Sequence, residues 1–169
     1  MSIKYRFDTD KAIEVLLFIT ARCPNMYNAL KVLYFADKDH LAKYGRLICG
    51  DSYVAMSHGP VPSGTYDIVK HVRDRSILGI ILPAFDAFHL EGHRIIPHRE
   101  PNLELLSGSD IECLDRAIDK YGYLPFGQLR ILSHDEAFKS ADENDFIPLE
   151  NIIRILPDGD LLLKHLQDD

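Results

Sequence analysis

Apolar and polar positions recur along this chain with two different periods, and the switches between them divide it into elements. From Asp8 the pattern is helical. Asp8 can cap free backbone N–H groups, Asp10 lies in the favourable first turn, and an apolar run over residues 13–19 continues to about Arg22, before Pro24. A second helix is predicted from Asn25 as N-cap to Tyr44, with Gly45 placed to take the left-handed conformation that ends helices. Within it Tyr27, Leu30, Tyr34, Asp37, Leu41 and Tyr44 recur at steps of three and four and so share a face. One acid therefore stands on an otherwise apolar and aromatic stripe.

Residues 52–56 carry Tyr and Val between Gly50-Asp51 and His58-Gly59-Pro60, which predicts a short strand. Pro62 and Ser63 open a third helix that carries Tyr66, Val69, Lys70, Val72 and Arg73 and fades over residues 75–79. Residues 85–97 read as a β-hairpin turning at Glu91-Gly92, which sets Leu90 opposite His93 and Phe88 opposite Ile95. Helices are expected again from Ser109 to Tyr121, with Gly122 at the end, and over residues 126–133, 135–141, 148–156 and 160–166. The sum is an α+β fold: a mainly helical single domain over residues 1–169 with a small antiparallel β-sheet or hairpin. No repeat, low-complexity segment or Gly/Ser/Pro-rich linker marks a boundary inside it.

Composition narrows the function classes. A hydrophobic share of 46% over 169 residues suffices for a core without disulfides or metal. The net charge of −7, with basic residues scattered singly or in pairs, argues against direct nucleic-acid binding. Such acidity serves solubility and also favours encounter with a basic partner. Cys23, Cys49 and Cys113 are odd in number and far apart, so they are expected as buried thiols in a reducing compartment. The apolar run near the start is too short to export or span, so no membrane association is expected and the protein is placed in the cytoplasm.

Two segments carry candidate chemistry. A carboxylate on an apolar stripe must find a partner or raise its pKa, and Asp37 is read first as a structural tie to backbone N–H groups or a basic side chain. His58-Gly59-Pro60-Val61-Pro62 is a stiff connection, because Pro60 fixes its own φ and restricts Gly59; the imidazole is expected to satisfy a buried acceptor such as Asp37. His89, His93 and His98 lie close in sequence, yet a turn at Glu91-Gly92 would point His93 away from His89, so no metal site is expected. No Gly-rich phosphate loop and no nucleophile motif appears around the cysteines; no cofactor is expected.

The run from Lys31 through Leu33-Tyr34-Phe35-Ala36-Asp37 to Leu41, followed by Tyr44-Gly45, Gly50-Asp51 and Tyr53 to Pro62, resembles the signature of the SocA-like (Panacea) antitoxin domain. Tyr66 to Lys70, Leu105 to Asp110 and Leu132-Ser133-His134 with Glu136 extend the resemblance over about residues 10–142, with Phe138 near where that family's pattern places a Trp. The resemblance implies an antitoxin that neutralises a cognate protein toxin by direct contact, with a protease as a further partner where the module acts as an adaptor. It implies no catalysis. Tyr53, His58, Gly59, Pro60 and Val61, with Tyr66 and Lys70 on the next helix, are the expected partner-binding surface, and Asp37 and His134 are expected as structural polar groups. Two alternatives stand beside this reading: a phage or prophage accessory protein aimed at a host defence factor, and a small hydrolase or transferase built on Asp37, His58 and His134.

Overall fold

The second helix organises the molecule. In a computed structural model that describes residues 3, 5–75 and 82–168, α2 (Met26–Tyr44) starts at Asn25, whose Oδ1 accepts from the N–H groups of Tyr27 and Asn28. It ends at Gly45, with φ +77°. Its burial exceeds the single stripe expected, since every residue from 29 to 37 is buried. Helix α1 (Thr9–Thr20), α5 (Gly108–Tyr121), α6 (Phe126–Ser133) and α8 (Leu149–Arg154) pack around it. Where the helix is enclosed, its polar side chains become interior groups, and Lys31, Asp37 and His40 are such groups.

The predicted strand is β1 (Tyr53–Met56), but the stiff segment after it is more than a turn. Gly59–Pro62 forms β2, antiparallel to β1 with Tyr53 opposite Pro62 and Met56 opposite Gly59, so Ser57-His58 is the two-residue loop. In such a hairpin the pair flanking the loop exchanges hydrogen bonds and the next pair does not, so the backbone groups of residues 60 and 62 face away from β1. Proline is tolerated there because the outer edge needs no donor. The far side of β1 is also covered: Ala55 N–H donates to Asp145, and Ile147 N–H to Tyr53.

Helix α3 (Ser63–Asp74) follows; the fading expected beyond it, at residues 76–79, lies outside the described residues. The segment expected to begin a strand at Phe85 is instead a short helix, α4 (Leu82–Ala87), and the hairpin is β3 (Phe88–Glu91) with β4 (Arg94–Pro97). Its register also differs from expectation. Leu90 pairs with Ile95 and Phe88 with Pro97, so the loop is Gly92-His93, with Gly92 at φ +63°. The shift buries Phe88 and Ile95, and docking of Met26 N–H on His93 O and Ile95 N–H on Pro24 O fixes it. It also brings His89 Nδ1 within 2.7 Å of His98 Nε2, although no cluster of three or more metal-ligating side chains converges among the described residues.

Helix α5 begins one residue earlier than expected because Ser107 and Asp110 form a capping box. Asp135 caps α7 (Glu136–Lys139), and α9 (Gly159–Asp168) packs on α8. The buried apolar side chains form a continuous cluster to which all these helices except α6's exposed face contribute. All three thiols lie inside it, and burial pushes Cys23 and Cys113 up to about 11 and Cys49 well above its ordinary value. No helix among the described residues is long and apolar enough to cross a membrane.

Candidate functional site

Asp37 sits where its stripe required. It is 1% exposed; Ile48 N–H donates to Oδ1 at 2.8 Å and the Tyr53 hydroxyl to Oδ2 at 2.6 Å. Burial raises its carboxyl to about 7, against the lowering effect of those two bonds. Nearby, Asp51 takes the N–H groups of Gly64 and Thr65 and the Thr65 hydroxyl, and so caps α3 from another segment of the chain. Burial alone would raise Asp110, but Lys11 at 2.7 Å and the Ser107 N–H outweigh it and hold it below the ordinary range. Arg46 also pairs with Asp110, at 3.2 Å, while His40 Nδ1–H donates to Arg46 O. These acids lash residues 46–52 to α2, α3 and α5. Gly50 completes the knot, at φ +68° and so close to Arg6 that a Cβ would lie 2.1 Å from its carbonyl oxygen.

The N-terminal end of α2 is different. A cleft of about 500 Å³ opens between the start of α2, the β1–β2 loop, α3 and α6, lined by Tyr27, Leu30, Lys31, His58, Val61, Tyr66 and Phe126 among others. One wall is aromatic: Phe126 meets Tyr27 edge-on at 6.2 Å and His58 at 6.1 Å. Arg130 Nε–H donates to His58 Nδ1 at 3.3 Å, which assigns the other ring nitrogen as the protonated one in a neutral imidazole. At the base, Lys31 is 2% exposed and donates to the carbonyl of Pro60 at 2.8 Å, the group that the β2 edge leaves without a strand partner. Burial, then the Arg130 charge, lowers its ammonium to about 8. Gly59, at φ +119°, allows this approach, since a Cβ there would lie 2.8 Å from Ser133 Oγ and 3.1 Å from Lys31 Nζ.

The expected surface is therefore partly assembled. His58, Val61 and Tyr66 line the cleft, and Lys70 stands beside it with its ammonium 4.6 Å above the Tyr66 ring and paired with Asp67. Gly59 and Pro60 are buried and shape the cleft through their backbone. Tyr53 departs from expectation: at 2% exposure, with its hydroxyl on Asp37, it holds the hairpin from beneath and offers no contact to a partner. His58 does not reach Asp37, because it rides the exposed loop of the hairpin. His134 packs its ring 4.3 Å from Phe138 and bonds through Nδ1 to Arg130 O, a local closure of α6. Asp37, His58 and His134 thus share no hydrogen bond.

Lys31, Arg130 and Phe126 were not singled out by sequence reasoning. Lys31 had a legible signal, since Tyr27, Tyr34 and Phe35 stand four before, three after and four after it on the helix, an aromatic setting foreign to a solvated lysine. Arg130 and Phe126 carried none, because only the tertiary fold brings α6 to the hairpin. A family model described as the antitoxin SocA-like, Panacea domain matches residues 30–139. No curated protein and no solved structure matches the chain.

Proposed function

Because the chain belongs to the SocA-like, Panacea antitoxin family, we propose that it is a protein-binding antitoxin that neutralises its cognate toxin in the cytosol by direct contact through the cleft beside the β1–β2 loop. The observation that carries this reading is the pre-ordered rim. The hairpin is stiffened by Pro60 and Pro62, held from below by Tyr53 on Asp37, and anchored at its edge by Lys31. A rim already fixed in shape loses little conformational entropy when a partner seats on it. The partly exposed rings of Tyr27, Tyr66 and Phe126 supply the kind of aromatic anchor on which binding energy concentrates. The mechanism is occlusion by a stoichiometric partner, with no bond made or broken.

The test is co-expression with a candidate cognate toxin. A one-to-one complex is expected on co-purification, with rescue of growth that requires antitoxin at least equal to toxin. Val61→Asp should abolish both while leaving the fold intact by circular dichroism. Rescue at strongly substoichiometric levels, lost in His58→Ala or His134→Ala, would replace this reading with an enzymatic one. Delivery to a protease is a separable step, read as a shortened toxin half-life in the presence of the antitoxin.

A further inference from the structure

We propose that the cleft receives a carboxylate of the protein partner, an Asp or Glu side chain set among apolar neighbours, with the Lys31 ammonium as its counter-ion. The proposal rests on the binding reading above and names the chemistry of the partner's anchor.

Lys31 is a buried cation left incomplete by its own protein. An ammonium has three donors, and the Pro60 carbonyl takes one. Among the described residues no carboxylate lies within ion-pair distance of Lys31, and Arg130 beside it also joins no ion pair. The partly buried lysines elsewhere are supplied: Lys11 meets Asp110 at 2.7 Å, Lys38 meets Asp135 at 3.0 Å and Lys70 meets Asp67 at 3.2 Å. The cleft itself is lined by no acidic residue. A desolvated charge without a counter-ion is unfavourable, and truncating or supplying its partner has a large effect.

The surroundings choose among anions. Leu30, Val61, Tyr66 and Phe126 line the cleft beside Lys31 with apolar surface, which suits an acid borne on an apolar chain and strengthens the pair once water is displaced. A polyanionic phosphate would want several convergent backbone donors. The first N–H groups of α2, at one border of the cleft, are already used by His93 O and Asn25 Oδ1. The net charge of −7 makes a broadly acidic partner face unfavourable at long range, so the fit is to one buried acid and not to an acidic patch.

Two arms test this. In the first, the ε-carbon resonance of Lys31 in the full-length protein, assigned by its loss in Lys31→Met, is followed against pH with 3-phenylpropionate, 3-phenylpropionamide or inorganic phosphate. The carboxylate should raise the Lys31 titration midpoint by more than either other probe. An unmoved midpoint, an equal response to the amide, or a larger response to phosphate overturns the proposal. In the second, Lys31→Met should weaken the complex with the cognate toxin at least about tenfold while the melting temperature holds or rises. Neutralising a single acid of the toxin should cost the same and add nothing in Lys31→Met. Wild-type affinity in Lys31→Met overturns the proposal and leaves the binding reading intact. If wild-type protein binds no toxin, the binding reading fails, and the first arm decides the carboxylate site by itself.

Discussion

The two ends of α2 treat charge in opposite ways. Around its C-terminal half, Asp37, Asp51 and Asp110 are buried and saturated, each oxygen meeting a backbone N–H, a hydroxyl or a basic side chain. Near its N-terminal end, Lys31 and Arg130 are short of acceptors. A satisfied polar network specifies one arrangement of the chain, whereas an unsatisfied group at a surface opening gains most when something else arrives. On the proposed reading the acidic knot serves folding and the basic cleft serves recognition, even though both draw on residues between Lys31 and Pro62.

The comparison breaks most visibly at Asp51. Asp51→Ala leaves the N–H groups of Gly64 and Thr65 and the Thr65 hydroxyl buried or half-buried without acceptors. We expect a loss of about 3 kcal/mol in urea denaturation. Thr65→Val, which removes one of these donors, should lose about 1 kcal/mol.

Asp37 gives the next largest effect and one with a pH signature. Its folded value of about 7 lies above the ordinary 3.8, so the stability it contributes is full below about pH 4 and is lost as pH rises toward 7. Asp37→Asn keeps a carbonyl for Ile48 N–H and offers N–H groups to a reoriented Tyr53 hydroxyl. The variant should therefore gain on wild type by up to a few kcal/mol between pH 4 and 7, read as a crossing of their melting temperatures. Parallel curves would mean that Asp37 is ionised throughout. Tyr53→Phe should cost about 1 kcal/mol and carry the pH-dependent loss to higher pH than in wild type, since its hydroxyl lowers the Asp37 value.

How much of this was legible in the sequence follows the range of the forces involved. The caps of α1 and α2, the end of α2 at Gly45 and the limits of α6 came from local rules and stand as read. Asp37 was legible because a lone acid on an apolar stripe can be recognised within six turns of helix. Its donors were not, because Ile48 and Tyr53 reach it through a loop whose path depends on Gly50 and Arg6. β2 was hidden by its prolines, which argue against a strand until one knows that its outer edge bonds to a lysine side chain. The β3–β4 register was misplaced by two residues because the turn chemistry of Glu91-Gly92 and Gly92-His93 differs little; the docking of Ile95 on Pro24 decides between them. The cleft needed α6 beside the hairpin, a contact spanning about seventy residues of sequence.

A substitution of small effect on the fold should have a large one on binding, and it sharpens the contrast most. Tyr66 is half-buried on α3 with its ring under the Lys70 ammonium and its face toward the cleft. Tyr66→Ala removes no hydrogen bond holding the hairpin or the acidic knot, so its stability loss should stay near 1 kcal/mol, well below that of Asp51→Ala. Its aromatic surface is nevertheless the type that anchors a partner, and the complex should weaken by about 2 kcal/mol, or some thirtyfold in Kd by titration calorimetry. Asp51→Ala, assayed at a temperature where it remains folded, should bind within a few-fold of wild type. If the two variants exchanged roles, with Tyr66→Ala unfolding and Asp51→Ala failing to bind, the division of labour across α2 would be reversed.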